Sequence, residues 1–376
     1  MGAWRGIGTA VVLAVLLRAT VAAAGTLVEP IARLFLEGGW DSNALYDGQS
    51  ADTIGRFSPE VGLRLHAPLW DLKTTYGGEL VYFERLASGG IWNHRAGVSL
   101  DSRPTRLTIF TGNLRLSQAF DPAGLAQAGV FRTGRQRALV VNGRARFDFL
   151  ADPLVDTAAT MNERSVLFQD GTGGAMHAPG VETLWRFGRR LALGAAYGFG
   201  LFQSFEHAPT PDALAYSHAV RLRARWRAER HVTVDASAGP ALWLPAGSRS
   251  IVPEALVEVL IATRGLDLRF DAAHGLGIGA TARPGLVDYA EIGAERRWAR
   301  RWFARGDGGL WRSGTVPSGR DAVTGYMLAG EAGAILGGNL RLSITGAQYG
   351  RTDDLAAAEF RRTTVGLRVG WELPGR

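Results

Sequence analysis

The chain has 376 residues, a formal net charge of +7 at pH 7, 50 glycines and no cysteine. Without cysteine it has neither a disulfide framework nor cysteine-ligated zinc or iron–sulfur sites, and without a run of 18 apolar residues beyond the N-terminus it is not a helical membrane protein. The basic pI of about 10.2 raises nucleic acid as a partner, but Lys73 is the single lysine and the arginines are spread through strand-like segments, so we expect no nucleic-acid binding.

The N-terminus is predicted to be a secretory signal peptide. Arg5 supplies a positive charge, an apolar stretch runs from Ile7 to Leu17, and the small residues Ala22 to Ala24 precede a cleavage site at Gly25. This is the layout of an export signal, and the apolar stretch is too short for an ordinary membrane-spanning helix. We therefore expect residues 1–24 to be removed and residues 25–376 to form one exported domain.

The remaining chain repeats segments in which apolar and polar side chains alternate, which is the pattern of β-strands. Strands of soluble domains are typically about 5 to 6 residues long, whereas a strand tilted across a bilayer needs about 9 to 11. Because most of these segments reach the longer figure, they predict an all-β protein, a transmembrane antiparallel up-and-down β-barrel. In chain order the segments are Ile31–Trp40, Phe57–Ala67, Thr75–Leu86, Trp92–Asp101, Thr105–Leu116, Ala138–Phe149, Pro179–Phe187, Leu191–Gln203, Tyr216–Ala228, His231–Leu244, Ile251–Thr263, Leu266–Ala273, Leu286–Arg297, Arg301–Arg312, Tyr326–Leu336, Leu340–Tyr349 and Phe360–Leu373.

Short and long connections alternate between these segments. Bacterial outer-membrane barrels combine short periplasmic turns with longer extracellular loops and use even strand numbers. Keeping both termini on the periplasmic side requires an additional strand between Ala158 and Gln169, where Ser165 to Phe168 carry a weak pattern. We therefore predict about 18 strands, with 16 as the second choice.

The last segment resembles the C-terminal strand that the barrel-assembly machinery recognises in outer-membrane proteins. Its apolar face comprises Val365, Leu367, Val369, Trp371 and Leu373, although the chain ends in Pro-Gly-Arg rather than in an aromatic residue. As an architecture, the whole chain after residue 24 resembles the porin-like outer-membrane β-barrels of Gram-negative bacteria, without the motif of one family. The resemblance implies location in the cell outer membrane, contact with its lipid and insertion by the assembly machinery.

Four arginines at alternate positions indicate which face of the barrel wall contacts water. Arg221, Arg223, Arg225 and Arg227 alternate with apolar residues on one segment. An arginine that faces lipid at the bilayer midplane costs about 2 to 4 kcal/mol. The four arginines are therefore predicted to line a water-filled lumen, where a cationic wall concentrates anions. The preceding segment carries only glycine and alanine on the matching face, which leaves room for long side chains.

Further charged residues are predicted to line the lumen. Asp235, Glu254 and Glu258 follow on the next two segments and would partly compensate the arginines, and Arg269 follows on the third. The other inward charges expected from the alternation are Arg33, Glu37, Glu60, Arg64, Asp267, Asp271 and Arg341.

The connection Ser117–Gln136 is the third on the predicted extracellular side. In the general porins that this architecture resembles, the third extracellular loop folds into the barrel and narrows the pore. The resemblance implies the same role here, with Asp121, Arg132 and Arg135 at the constriction.

The sequence carries no recognised motif for covalent chemistry. Its seven histidines stand in no metal-binding spacing, and it has neither a nucleophile elbow nor a phosphate-binding loop. We therefore predict a protein without enzymatic activity, cofactor or metal ion.

The pattern as a whole predicts a porin-like channel for passive diffusion of small polar or anionic solutes. Two alternatives stay open: a conduit that exports an anionic polysaccharide with partner proteins at its periplasmic end, and a structural or surface barrel whose lumen is plugged. Association of barrels as a homotrimer also stays open.

Overall fold

The computed structural model describes most of the chain outside the N-terminus and several loops. The described ranges are 26–44, 50–85, 90–120, 137–205, 214–229, 231–245, 247–279, 282–299, 301–316, 318–319, 322–337, 339–353 and 359–373. The predicted signal peptide 1–24 and the predicted constriction residues Asp121, Arg132 and Arg135 lie outside these ranges.

Eighteen β-strands make up the described part of the chain. In order they are β1 (Leu27–Asp41), β2 (Asp52–Ala67), β3 (Trp70–Phe83), β4 (Ile91–Thr105), β5 (Thr108–Ala119), β6 (Ala138–Asp152), β7 (Val155–Phe168), β8 (Gly173–Arg186), β9 (Leu191–Phe205), β10 (Leu214–Glu229), β11 (Val232–Pro245), β12 (Ser250–Thr263), β13 (Leu266–Ile278), β14 (Pro284–Trp298), β15 (Trp302–Gly314), β16 (Val323–Gly337), β17 (Leu340–Asp353) and β18 (Glu359–Glu372). The described ranges contain no helix long and apolar enough to cross a membrane.

The strands close into one antiparallel barrel. Each strand pairs with its neighbours in sequence, and β1 pairs with β18 to complete the ring. The prediction of 18 strands is confirmed, and the additional strand expected between Ala158 and Gln169 is the C-terminal part of β7. A closed, up-and-down barrel with an even strand number is the architecture of bacterial outer-membrane proteins.

The two ends of the barrel differ in their connections. At one end, here called the turn end, neighbouring strands are joined by two to four residues, and at the other, the loop end, by four to 18. Gly265 and Gly337 at the turn end have φ angles of 91° and 97°, which glycine adopts without the strain that a side chain causes. At the loop end, residues 169–172 and 246–249 make connections of only four residues, so not every loop there is long.

Alternation along each strand separates an apolar outer face from a polar inner face. Leu222, Ile251 and Ile344 are 76%, 72% and 61% exposed, although each is a large apolar residue. Their neighbours in sequence point inward and include the ion-paired Arg221 and Arg223. An apolar belt around a charged interior matches a barrel whose outer wall contacts hydrocarbon.

The seam between the first and last strands contains a buried ion pair at the loop end. Nine register pairs join β1 to β18. At the last of them, Asp41↔Thr364, the carboxylate of Asp41 contacts the guanidinium of Arg362, two residues further toward the loop end, and both side chains are fully buried. Nε of Arg362 lies 2.9 and 2.8 Å from the two carboxylate oxygens. The pair links residues that are 321 positions apart in sequence and so fixes the register of closure.

We predict that Arg362→Ala lowers the free energy of unfolding by about 3 to 5 kcal/mol, because it leaves the Asp41 carboxylate buried without its cation. The measurement is guanidinium-induced unfolding in lipid vesicles, followed by tryptophan fluorescence. The double variant Asp41→Leu/Arg362→Met should recover most of the loss, since no charge remains buried. A single variant as stable as the wild type would contradict this view of the seam.

Candidate functional site

The arginines predicted to line the lumen form an ion-paired network on the inner wall. Nη2 of Arg223 lies 2.6 Å from Asp235, and Nε of Arg225 lies 2.6 Å from the other oxygen of the same carboxylate. Arg223 also contacts Glu182 of β8, which in turn contacts Arg146 of β6. The network therefore joins the inner faces of β6, β8, β10 and β11, and its carboxylates neutralise much of its positive charge.

The ends of the arginine series differ from its middle. Arg221 lies 3.5 Å from Glu254 of β12, and its guanidinium occupies the space beside Gly198 that a Cβ atom would need. The small residues of β9 thus make room for the long side chains of β10, as the sequence predicted. Arg227 is exposed at the turn end. On β12 and β13, Glu258 and Arg269 approach to 4.0 Å, and Nε of Arg269 lies 2.5 Å from Asp271.

The main cavity of the lumen lies against a different part of the wall. It has a volume of about 1060 Å³, and its lining comes from β1–β5 and β13–β18. Of the eight residues predicted to line a pore on β10–β13, Arg269 belongs to this lining, whereas the other seven lie on β10–β12. Whether those seven contact a permeating solute stays a prediction.

The cavity wall carries equal numbers of basic and acidic side chains. The basic ones are Arg33, Arg56, Arg95, Arg115, Arg269, Arg297, Arg305, Arg341 and Arg368, and the acidic ones are Glu37, Glu60, Glu79, Asp271, Glu291, Glu295, Asp307, Glu331 and Glu372. Most form pairs, such as Arg56 with Glu37 at 2.6 Å and Arg341 with Glu372 at 2.8 Å. Water hydrates a lining of paired charges, but such a lining has little net charge with which to attract anions over cations or the reverse.

A few charges inside the barrel stay unpaired within the described residues. Arg115 of β5 and Arg144 of β6 are exposed on the inner face and form no ion pair there. Asp307 of β15 is likewise exposed and unpaired within those residues. Because β5 and β6 lie eight and nine strands from β15 in a ring of 18, these charges face each other across the lumen. Arg115 and Arg144 thus place positive charge on the β5–β6 wall, and Asp307 places negative charge on the opposite wall. Further inner charges that are unpaired within the described ranges, Arg227 among them, lie nearer the turn end.

The tip of the β13–β14 hairpin bends into the lumen. Pairing between β12 and β13 ends at Ala255 and His274, whereas β13 stays paired with β14 as far as Ile278 and Pro284. Beyond this point β13 contacts β7 and β8, and β14 contacts β8 and β9, across the barrel. The glycines at 275, 277 and 279, which in the sequence resemble a flexible connection, belong to or follow β13.

Apolar packing holds this tip against the opposite wall. Ile278 and Ala282 are buried in a cluster with inward side chains from β5–β7 and β9–β12, among them Val166, Phe202 and Trp243. The carbonyl oxygen of Ala282 lies so close to Gly174 of β8 that a Cβ atom there would stand only 2.7 Å away. The hairpin thus divides the loop-end half of the lumen and leaves the main cavity on its other side.

The sequence did not reveal this hairpin as a constriction. Leu276 and Ile278 follow the same alternation as residues that face lipid, so the pattern alone places them on the outer wall. The sequence feature that could have indicated the constriction is the run of alternate glycines, because these residues carry no side chain at the point where β13 separates from β12. Two further apolar clusters, around Trp311 and Phe83, line the loop end of the lumen.

The described residues hold no group of three or more histidine, aspartate or glutamate side chains placed to bind a metal ion. Comparison with known proteins finds no matching family model and no matching curated protein.

Several solved structures are similar to the chain at low identity. One is OccK2 (OpdF) of Pseudomonas aeruginosa in complex with glucuronate, with a TM-score of 0.44, 10% identity and coverage of 92% of this chain and 99% of that chain. Another is the outer membrane protein OpdK of the same organism, with a TM-score of 0.43, 11% identity and coverage of 92% and 98%. A third is OccAB3 of Acinetobacter baumannii, with a TM-score of 0.42, 7% identity and coverage of 92% and 100%. At such identities the function has to be argued from the residues of this chain.

We predict that Arg223→Ala lowers the free energy of unfolding by about 1 to 3 kcal/mol, because Asp235 and Glu182 each lose one of their two arginine partners, Arg225 and Arg146 being left. Arg227→Ala, on the same strand and face but exposed, should change it by less than about 0.5 kcal/mol. Chemical unfolding of both variants in vesicles measures the difference. Equal changes in the free energy of unfolding of the two variants would show that Arg223 does not stabilise the wall by linking its strands.

We also predict that Gly174→Val dislodges the hairpin tip, since overpacking costs about 1 to 3 kcal/mol. The chain has no cysteine, so Ala282→Cys supplies a unique thiol at a fully buried position. Its reaction with a membrane-impermeant maleimide should be faster by roughly tenfold or more in the Gly174→Val background, because each 1.4 kcal/mol is a factor of ten.

Gly38→Val is the matched control for this experiment. A Cβ atom at Gly38 meets nothing within 4 Å, so this change should leave the labelling rate at its wild-type value. Equally slow labelling of Ala282→Cys with and without Gly174→Val would mean that the position of the tip does not depend on contact with Gly174.

Proposed function

We propose that this barrel is an outer-membrane channel through which small polar solutes, preferentially anions, diffuse passively. The loop end faces the cell exterior and the turn end faces the periplasm, in line with the distribution of loop lengths. The proposal involves no covalent step and no cofactor. Insertion by the barrel-assembly machinery and association as a homotrimer stay predictions from the sequence.

One observation carries the proposal: a charged cavity of about 1060 Å³ inside a closed barrel. Polar walls keep such a space wet, and a pocket of roughly 300 to 1,000 Å³ is enough to bury one small molecule. The barrel therefore has room for a solute of the size of a sugar acid or an amino acid along its axis.

The preference for anions rests on Arg115 and Arg144 rather than on the paired arginines of β10. Paired charges cancel at a distance, whereas an unpaired cation in a confined, low-dielectric space attracts anions. Since Asp235 and Glu182 neutralise the middle of the β10 series, the field that a permeating solute meets comes mainly from the unpaired groups. An anion would follow the β5–β6 wall, away from Asp307.

The inward hairpin favours small solutes over a polymer. A polysaccharide chain needs an uninterrupted bore, and here apolar packing between β13–β14 and β7–β9 occupies part of the loop end. The polysaccharide conduit therefore fits this lumen less well than the solute channel. A plugged barrel is the remaining alternative, and an electrical measurement separates it from an open one.

The test is single-channel recording in planar bilayers under a salt gradient. We expect discrete conductance steps and a reversal potential that shows anion preference. Arg115→Gln/Arg144→Gln should shift the reversal potential toward cations, and Asp307→Asn should shift it toward anions. The matched control is Arg296→Gln, which removes an exposed cation from the outer face of β14 and should leave the reversal potential nearly unchanged.

Two results would contradict the proposal. Folded barrels that give no conductance steps would favour the plugged alternative. A reversal potential that the Arg115/Arg144 variant leaves unchanged would overturn the role assigned to these two arginines.

A further inference from the structure

Four histidines on the outer wall lie at one level of the barrel. His94 is the fourth residue of β4, His177 the fifth of β8 and His218 the fifth of β10, all counted from the loop end. His274 is the fifth residue from the loop end of β13. The four strands are spread round half of the ring. We call this set the histidine rim.

The register places all four side chains on the apolar outer face. His177 shares its face of β8 with Val181 and Trp185, which are 54% and 49% exposed, and His218 lies between Tyr216 and Val220. His94 lies on the same face as the exposed Val98. His274 is the register partner of Asp288. Asp288 lies on the same face of β14 as the exposed Ile292, four residues further along.

Each histidine of the rim uses the same ring nitrogen for a partner on the adjacent strand. The Nδ1 atoms of His94 and His218 each lie 2.7 Å from a tyrosine hydroxyl, of Tyr76 and Tyr197 respectively. The Nδ1 atoms of the other two lie 2.5 Å from a carboxylate oxygen: His177 from Glu163, and His274 from Asp288. Within the described residues Nε2 has no partner, so each ring is held in place with one nitrogen left for a molecule outside the barrel.

A second rim of tryptophans marks the other edge of the apolar belt. Trp185 and Trp226 stand eight residues after His177 and His218 on the same faces of β8 and β10. Eight residues at about 3.3 Å each, tilted by about 40°, span roughly 20 Å along the membrane normal. This is close to the apolar band of about 25 Å that outer-membrane barrels present. The histidine rim therefore lies where hydrocarbon ends and lipid headgroups begin.

A cation stands beside the rim on its loop side. Arg312 of β15 is the register partner of Asp288 and lies on the outer face next to the exposed Leu310. It is exposed and forms no ion pair within the described part of the chain. Thr324 continues the same cross-strand row on β16. An arginine and a threonine hydroxyl on the loop side of the imidazole nitrogens supply donors that suit phosphate, beside the rim carboxylates Glu163 and Asp288 that the histidines already bind.

We propose that His94 and His218 of the histidine rim, together with Arg312, bind the phosphate groups of lipids in the leaflet on the loop side. Where a tyrosine hydroxyl donates to Nδ1, as at these two histidines, the ring proton sits on Nε2 and donates outward to a phosphate oxygen. At His177 and His274 the Nδ1–H donates to a carboxylate, so Nε2 of the neutral ring is an acceptor. At the β13–β15 row, Arg312 supplies the charged donors. The inference rests on the membrane location in the proposed function, but it concerns the outer wall alone.

The test is native mass spectrometry of the full barrel in non-ionic detergent. Phosphatidic acid and the diacylglycerol with the same acyl chains are titrated separately. We expect the wild type to bind phosphatidic acid at least about tenfold more tightly, because hydrogen bonds to charged groups are stronger than neutral ones. The variant with His94→Phe, His218→Phe and Arg312→Gln should bind both lipids equally.

Arg296→Gln is the matched control, since Arg296 is an exposed arginine on the outer face of β14 near the turn end. It should keep the wild-type preference. If the combined variant does not fold, Arg312→Gln and His218→Phe alone should each reduce the preference. Inorganic phosphate at the same concentration should not displace the lipid, because the acyl chains also contact the apolar belt.

Three results would overturn the proposal. They are equal binding of the two lipids by the wild type, an unchanged preference in the rim variants, and displacement by inorganic phosphate. Single-channel conductance of the same variants keeps this inference separate from the proposed function, since the rim lies outside the lumen and its loss should leave conductance unchanged.

Discussion

The structure depends on one constraint, the high free energy of a charged side chain in hydrocarbon. Each strand has only two faces, so an arginine at the level of the apolar belt avoids the lipid only by pointing into the lumen. The inner wall consequently receives more charge than a channel needs. The fold accommodates it by pairing: Glu182 and Asp235 hold three arginines in one network across β6–β11. Most of the inner charge therefore stabilises the wall, and the few unpaired groups are left to act on solutes.

The same constraint explains the division of the lumen. A ring of 18 strands encloses more space than side chains from one wall fill. In this chain a hairpin of the barrel itself occupies part of that space, as β13 leaves β12 after His274 and packs on β7–β9. The opposite wall meets it with apolar residues, including Val166 and Phe202. The lumen therefore has a polar half near the turn end and an apolar, narrowed half near the loop end.

Much of the fold could be predicted from the sequence, because period-two alternation is a local property of each strand. The strand number, the position of β7 and the inward direction of Arg223 follow from it. The partners of Arg223 could not be predicted, because Glu182 stands two strands away, across the small residues Gly194 and Ala196 of β9. The inward hairpin could not be predicted either: Ile278 is as apolar as a lipid-facing residue, and only the three-dimensional fold decides whether it meets lipid or protein. The predicted loop residues Asp121, Arg132 and Arg135 lie outside the described ranges and stay predictions.

The buried pair of Asp41 and Arg362 has a consequence for the order of assembly. Its two members come from the ends of the polypeptide, and joining such distant residues carries a larger entropic cost than any hairpin between neighbouring strands. Biogenesis of the barrel therefore has a natural last step, in which the terminal strands meet. Until then the carboxylate and the guanidinium can remain hydrated. Because they lose this water when they meet, the closed barrel is slow to reopen.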